Sequence, residues 1–233
     1  MSCSIRSSQR STGSNLRATL VACATCCALP QLTWAQGLGP PLMDRQKEIA
    51  LALSACPAAV AEKAGVYALE TTGYVKVRES QNGFTAIVQH SLPTSIEPRC
   101  MDAEGTRTHL PRILKVAELR AQGKSREDIQ RFVADAYAKG IFQPPSRIGI
   151  DYMLSTENRV PNERGEIVPF PPHVMFYAPY LTNAAIGVDR TKLGPDGNPP
   201  GPVFVAGEGG PGALLIIPVP TTTAAHRHSG AAP

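Results

Sequence analysis

In residues 44–56 the apolar positions Ile49, Leu53 and Cys56 recur at steps of four and three, with Asp44 placed to cap and Pro57 to stop. That spacing predicts a short amphipathic helix. The period then changes to two. Residues 65–70, 74–79 and 84–90 form three β-rich runs, parted by Thr72-Gly73 and Asn82-Gly83. Both residues of an Asn-Gly pair tolerate positive φ, so the pattern predicts a three-stranded antiparallel β-meander. Residues 92–104 carry Pro93 and Pro98 and read as extended. A helical period returns over 113–122, and again after Ser125, where Asp128 completes a capping box and Gly140 supplies the stop. In this second segment Ile129, Phe132, Val133, Ala136 and Tyr137 fall on one stripe. The expected fold class is α+β, an antiparallel β-meander with an αα-hairpin packed on one face.

After Phe142 the pattern breaks into short apolar runs at 148–154, 174–178, 203–206 and 213–219. Most of the 22 prolines lie here, so the C-terminal third is expected to be Pro/Gly-rich loops with short strands. Residues 189–202 read as irregular and 221–233 as a disordered polar tail. The run Gly207-Glu208-Gly209-Gly210-Pro211-Gly212 has the composition of a phosphate loop, but a strand pattern follows it. Anion binding of that kind needs a helix N-terminus, so the run is expected to be a hairpin connection.

The first 35 residues read differently. Arg6, Arg10 and Arg17 precede an apolar stretch over 18–29 and the box Thr33-Trp34-Ala35, with no acidic residue among them. This is a signal-peptide pattern, expected to be cleaved near Ala35 and to deliver a single domain, 36–220, to the periplasm or the exterior. A spanning helix needs about twenty apolar residues, and Pro30 closes this run too early. Leu20-Val21-Ala22-Cys23 offers a rival lipid anchor at Cys23, disfavoured because only five residues separate Arg17 from Cys23. Beyond residue 35 the 23 basic residues fall by three to 20 against 19 acidic ones. That balance carries no footprint for nucleic acid, and Arg107, Arg112 and Lys115 read as a solvated face. Two cysteines remain, Cys56 and Cys100. In an oxidising compartment they are expected to form a disulfide worth about 3–4 kcal/mol, the alternative being two buried thiols.

Catalytic signatures are sparse. There is no G-x-S-x-G, H-E-x-x-H, Walker or protein-kinase pattern, and no cofactor is expected. His90, His109 and His173 could ligate zinc with Asp102 or Glu104, but their spacings match no local metal motif, so no metal site is assigned. The His226-Arg227-His228 run belongs to the tail. Asp102 with Glu104, and Asp151 beside Tyr152, read as solvated carboxylates, and no catalytic residue is assigned. The densest composition is at 170–180, where Phe170, Phe176, Tyr177 and Tyr180 gather between prolines. Rigid rings with polar tips suit a pocket wall, so His173, Phe176, Tyr177, Tyr180 and Asn183 are the candidate ligand-binding residues. A core strand with Val174, Phe176 and Ala178 on one side is the competing account of the segment. The functional expectation is an exported, non-enzymatic envelope protein that binds a small molecule or a partner protein through 170–183. The alternative is an exported hydrolase with His173 or His109 as base, which requires an imidazole about 3 Å from a Ser, Asp or Glu.

Overall fold

A computed structural model describes residues 40–192, 194–195, 201 and 203–219. The leader with Cys23 and Ala35, part of the irregular 189–202 stretch, and the tail with its two histidines lie outside the described residues.

Helix α1 (Arg45–Leu53) starts where the pattern placed it, with the Asp44 carboxylate accepting from the Lys47 amide at 3.0 Å. A single turn, α2 (Ala58–Ala61), leads into β1 (Gly65–Glu70), which forms a hairpin with β2 (Gly73–Arg78). The third run, β3 (Thr85–Gln89), pairs with β1 on its other side and runs parallel to it, Gly65 opposite Thr85 and Val66 opposite Ala86. Asn82 explains the route. Its side chain donates to the Val60 carbonyl at 2.9 Å and accepts from the Phe84 amide at 3.1 Å, pinning Asn82-Gly83 beside α2 instead of closing a tight turn. The first four residues of β3 are buried without alternation, as suits a strand inside a sheet and not at its edge.

Strand β4 (Glu97–Met101) follows, antiparallel to β3, and occupies the stretch that its prolines marked only as extended. Short helix α3 (Ala103–Thr108) is capped by Asp102, and α4 (Leu110–Ala121) and α5 (Arg126–Ala138) form the αα-hairpin, α5 being capped by Ser125. The C-terminal third supplies β5 (Ile150–Met153), a separate ribbon of β6 (Arg159–Pro161) and β7 (Ile167–Pro169), then β8 (His173–Tyr177), β9 (Phe204–Ala206) and β10 (Leu214–Pro218). The Gly-rich run joins β9 to β10 as a hairpin connection. The main sheet has eight strands in the order β2-β1-β3-β4-β5-β8-β10-β9, antiparallel except for β1 with β3. The fold is α+β.

Period-two alternation sorts this sheet into two faces. Val66, Ala86, Val88 and Cys100 point to α1 and pack on Ala52 and Ala55. The Cys56–Cys100 disulfide closes on this side, with Cα atoms 5.2 Å apart. Ile87 and Met101 point the other way, onto Leu110 and Ile113 of α4. Here α4 covers the N-terminal half of the sheet, and α5 packs against α4.

Two carboxylates expected to be solvated hold this frame together. Asp102 accepts from the amides of Gly105 at 2.9 Å and Ile150 at 3.0 Å, joining α3 to β5. Glu104, with only 3% of its side chain exposed, gathers the Ser146 amide at 2.7 Å and the guanidinium groups of Arg107 and Arg147 at 2.6 and 3.2 Å. Burial raises its pKa, but these donors outweigh burial and hold it at about 2, below the ordinary 4.5. A depressed folded-state pKa contributes stability above the unfolded value that is lost as pH falls. Urea midpoints should therefore decline as pH drops from about 4.5 toward about 2. Glu104→Gln should cost about 2 kcal/mol at neutral pH and flatten that acid limb.

Candidate ligand-binding cavity

Beyond α4 no helix among the described residues is pressed onto the same sheet face. Strand register turns Met153, His173, Met175, Leu214, Ile216 and Phe204 toward this side. Opposite them stand Val116 and Ala117 of α4 and Ile129, Val133 and Tyr137 of α5. Between the two walls lies a cavity of about 1230 Å³. The apolar stripe of α5 therefore faces this space instead of a sheet surface. Phe132 and Tyr137 anchor the helix sideways through edge-to-face contacts with Phe142, at 6.2 and 5.6 Å between ring centres.

Charged groups sit among the apolar ones. Arg99 enters from β4 with little side-chain exposure, its Nε donating to Asp151 Oδ2 at 2.9 Å and its Nη1 to Gln89 at 2.7 Å; Nη2 also donates to Asp151 Oδ2. Burial works against the Arg99 charge, and the Asp151 carboxylate more than offsets it, so the pKa is raised. Arg120 donates to the carbonyls of His90 and Ser91 and so fixes the loop at one end of the cavity. Glu97, the first residue of β4, is tied to the same loop by the Ser91 amide at 2.8 Å and by the hydroxyls of Ser91 and Ser95. Arg112, read from sequence as part of a solvated face, lines the cavity instead. Its spacing contained the signal: Arg112, Val116 and Leu119 share one helical face with the buried Ile113.

The candidates of segment 170–183 go separate ways. His173 lies on the cavity wall with Phe170, whose ring meets it edge-on at 4.7 Å. Its Nδ1 donates to the Pro171 carbonyl at 2.8 Å, and burial first, then the Arg99 charge, push its pKa down to about 4. Tyr177 is on the same side but buried, in a slot that only glycine leaves open: a Cβ on Gly105 would meet its hydroxyl at 1.8 Å. Phe176 alternates to the opposite sheet face. Tyr180 is 61% exposed, in a turn at φ 65°. Asn183 is buried and bonded to both the amide and the carbonyl of Val205, at 2.8 and 2.9 Å. Of the five, His173 alone borders the cavity.

Of the two other described histidines, His90 also borders the cavity and His109 does not. His90 Nδ1 bonds the Ser95 carbonyl, and burial lowers its pKa. His109 is wholly buried, stacks on Tyr177 at 4.8 Å and has no partner on either nitrogen; burial, then Arg99 and Arg112, push its pKa down to about 2. Among the described residues no group of three or more His, Cys, Asp or Glu is placed to hold a metal ion. Likewise, among the described residues no helix is long and apolar enough to cross a membrane. Comparison with known proteins finds no family model, curated protein or solved structure that matches the chain.

Proposed function

We propose that the protein is an exported, non-enzymatic binding protein that encloses one small molecule with a mostly apolar body between its sheet and the α4–α5 hairpin. The observation that carries this reading is the cavity of about 1230 Å³ with apolar side chains on both walls. Small-molecule sites commonly span roughly 300–1,000 Å³ and combine apolar walls with a few polar groups. The space opens to solvent at a rim that includes exposed Leu42, Lys124 and Arg126, so its apolar walls face water unless something covers them, which supports an occupant. Segment 170–183 then contributes one patch of wall, through His173, and not the whole site. Export is supported by the leader pattern and by a disulfide, which persists in oxidising compartments. A hydrolase reading lacks its partner group: His173 donates to a backbone carbonyl, and neither nitrogen of His109 has a hydrogen-bond partner among the described residues.

Titration with phenylnaphthylamine, a neutral fluorophore bright only in apolar surroundings, tests the reading. A saturable rise with one site per chain is expected. Ala206, on edge strand β9, borders the cavity, so Ala206→Trp should weaken that site by at least about tenfold through lost volume. A signal that never saturates, or one indifferent to Ala206→Trp, contradicts it.

A further inference from the structure

Arg112 is the group in this cavity that the fold leaves unanswered. Its Nε is shut off from solvent and has no hydrogen-bond partner, and its guanidinium forms no ion pair among the described residues. The other basic groups nearby are accounted for or lie in the open. Arg99 is neutralised by Asp151, Arg120 is spent on two carbonyls, and Lys124 and Arg126 are exposed at the rim. The carboxylates around the cavity are equally committed: Glu70 to Arg45, Glu163 to Arg190, and Glu97 to Ser91 and Ser95. A second donor waits beside the first. Tyr137 also borders the cavity, its buried hydroxyl has no partner, and Arg112 and Tyr137 act on each other electrostatically.

Arg112 is half-buried, with its Nε closed off from solvent, and a cation drawn partly out of water without a partner loses hydration and gains little in return. Burial accordingly lowers the Arg112 pKa, with Arg99 and Arg120 adding to the effect against Tyr137 and Glu97. Such a group becomes favourable when an anion arrives, because a guanidinium fork and a phenol together match the acceptors of a planar carboxylate. Building on the cavity reading above, we propose that the ligand is an amphipathic carboxylate whose single negative charge is received by Arg112 and Tyr137, with its apolar body lying between α5 and strands β8–β10. Arg99, Arg112 and Arg120 set against Asp151 and Glu97 leave an excess of one positive charge, which one carboxylate matches. A phosphate dianion would bring a second charge into low-dielectric surroundings, with the neighbouring Arg120 already engaged.

Displacement of phenylnaphthylamine by decanoate and by decanol, matched in length and different in charge, decides the matter. Decanoate should compete at least about tenfold better in the unmodified protein. Arg112→Met should bring decanoate and decanol to equal competition, and Tyr137→Phe should weaken decanoate about tenfold. Arg112→Met should also raise the melting temperature of the ligand-free protein, whereas an arginine with a structural role would lower it on removal. Equal competition by decanoate and decanol in the unmodified protein overturns the carboxylate assignment and leaves the cavity reading standing. Failure of phenylnaphthylamine itself to bind removes the cavity reading, and the assignment with it. If Arg112→Met does not fold, the decanoate–decanol comparison and Tyr137→Phe still decide.

Discussion

Replacing Asp151 by alanine is expected to destabilise the protein by about 3–5 kcal/mol, the usual cost of leaving one member of a buried ion pair alone. Asp151 is wholly buried and Arg99 nearly so, and two nitrogens of Arg99 converge on Asp151 Oδ2. The pair bridges β4 to β5 at the centre of the eight-stranded sheet, and Arg99 lines the cavity. Without Asp151, the Arg99 charge would keep, among the described residues, the Gln89 side-chain carbonyl at 2.7 Å as its one hydrogen-bond acceptor. Removing both charges is a different experiment. Arg99→Met with Asp151→Leu leaves no stranded charge, so it should fall within about 1–2 kcal/mol of the unmodified protein. Urea unfolding of the single and double variants measures both. A double variant as weak as Asp151→Ala would show that the pair contributes more than mutual neutralisation.

Loss of the Cys56–Cys100 bond should cost about 4 kcal/mol. The bridged residues are 44 apart, and a loop of that length closes with a large entropy saving in the unfolded chain. On the folded side the bond ties the end of α1 to β4, within the cluster of Ala52, Ala55, Val66 and Val88. Cys56→Ala with Cys100→Ala should therefore lower the urea midpoint and raise the m-value, since the unbridged chain exposes more surface when unfolded. Equal midpoints for the oxidised protein and the alanine pair would show that the loop is already closed in the unfolded ensemble.

The sequence displayed the local devices of this fold more clearly than its long-range ones. Asp44, Ser125 and the α5 stripe act through neighbours three or four residues away, so their periodicity and chemistry were sufficient. The side of β1 to which β3 adds depends on Asn82 reaching Val60, a contact 22 residues distant that alternation does not encode. Composition drew attention to Phe176, Tyr180 and Asn183, yet strand register, a turn and backbone bonding direct these three away from the cavity. Arg112 shows the opposite case. A charge on an otherwise apolar helical face was visible in the spacing, but its meaning depended on α5 standing clear of the sheet, which side-chain periodicity does not report.

The most direct test is a crystal structure of the protein grown with bromodecanoate, whose terminal bromine is located by its anomalous signal. One bromine peak per chain is expected between α5 and the wall formed by Met175, Phe204 and Ile216, with the carboxylate hydrogen-bonded to Arg112 and Tyr137. A bromine on the outer surface, or an empty cavity in which Arg112 has turned to a protein carboxylate, would contradict it.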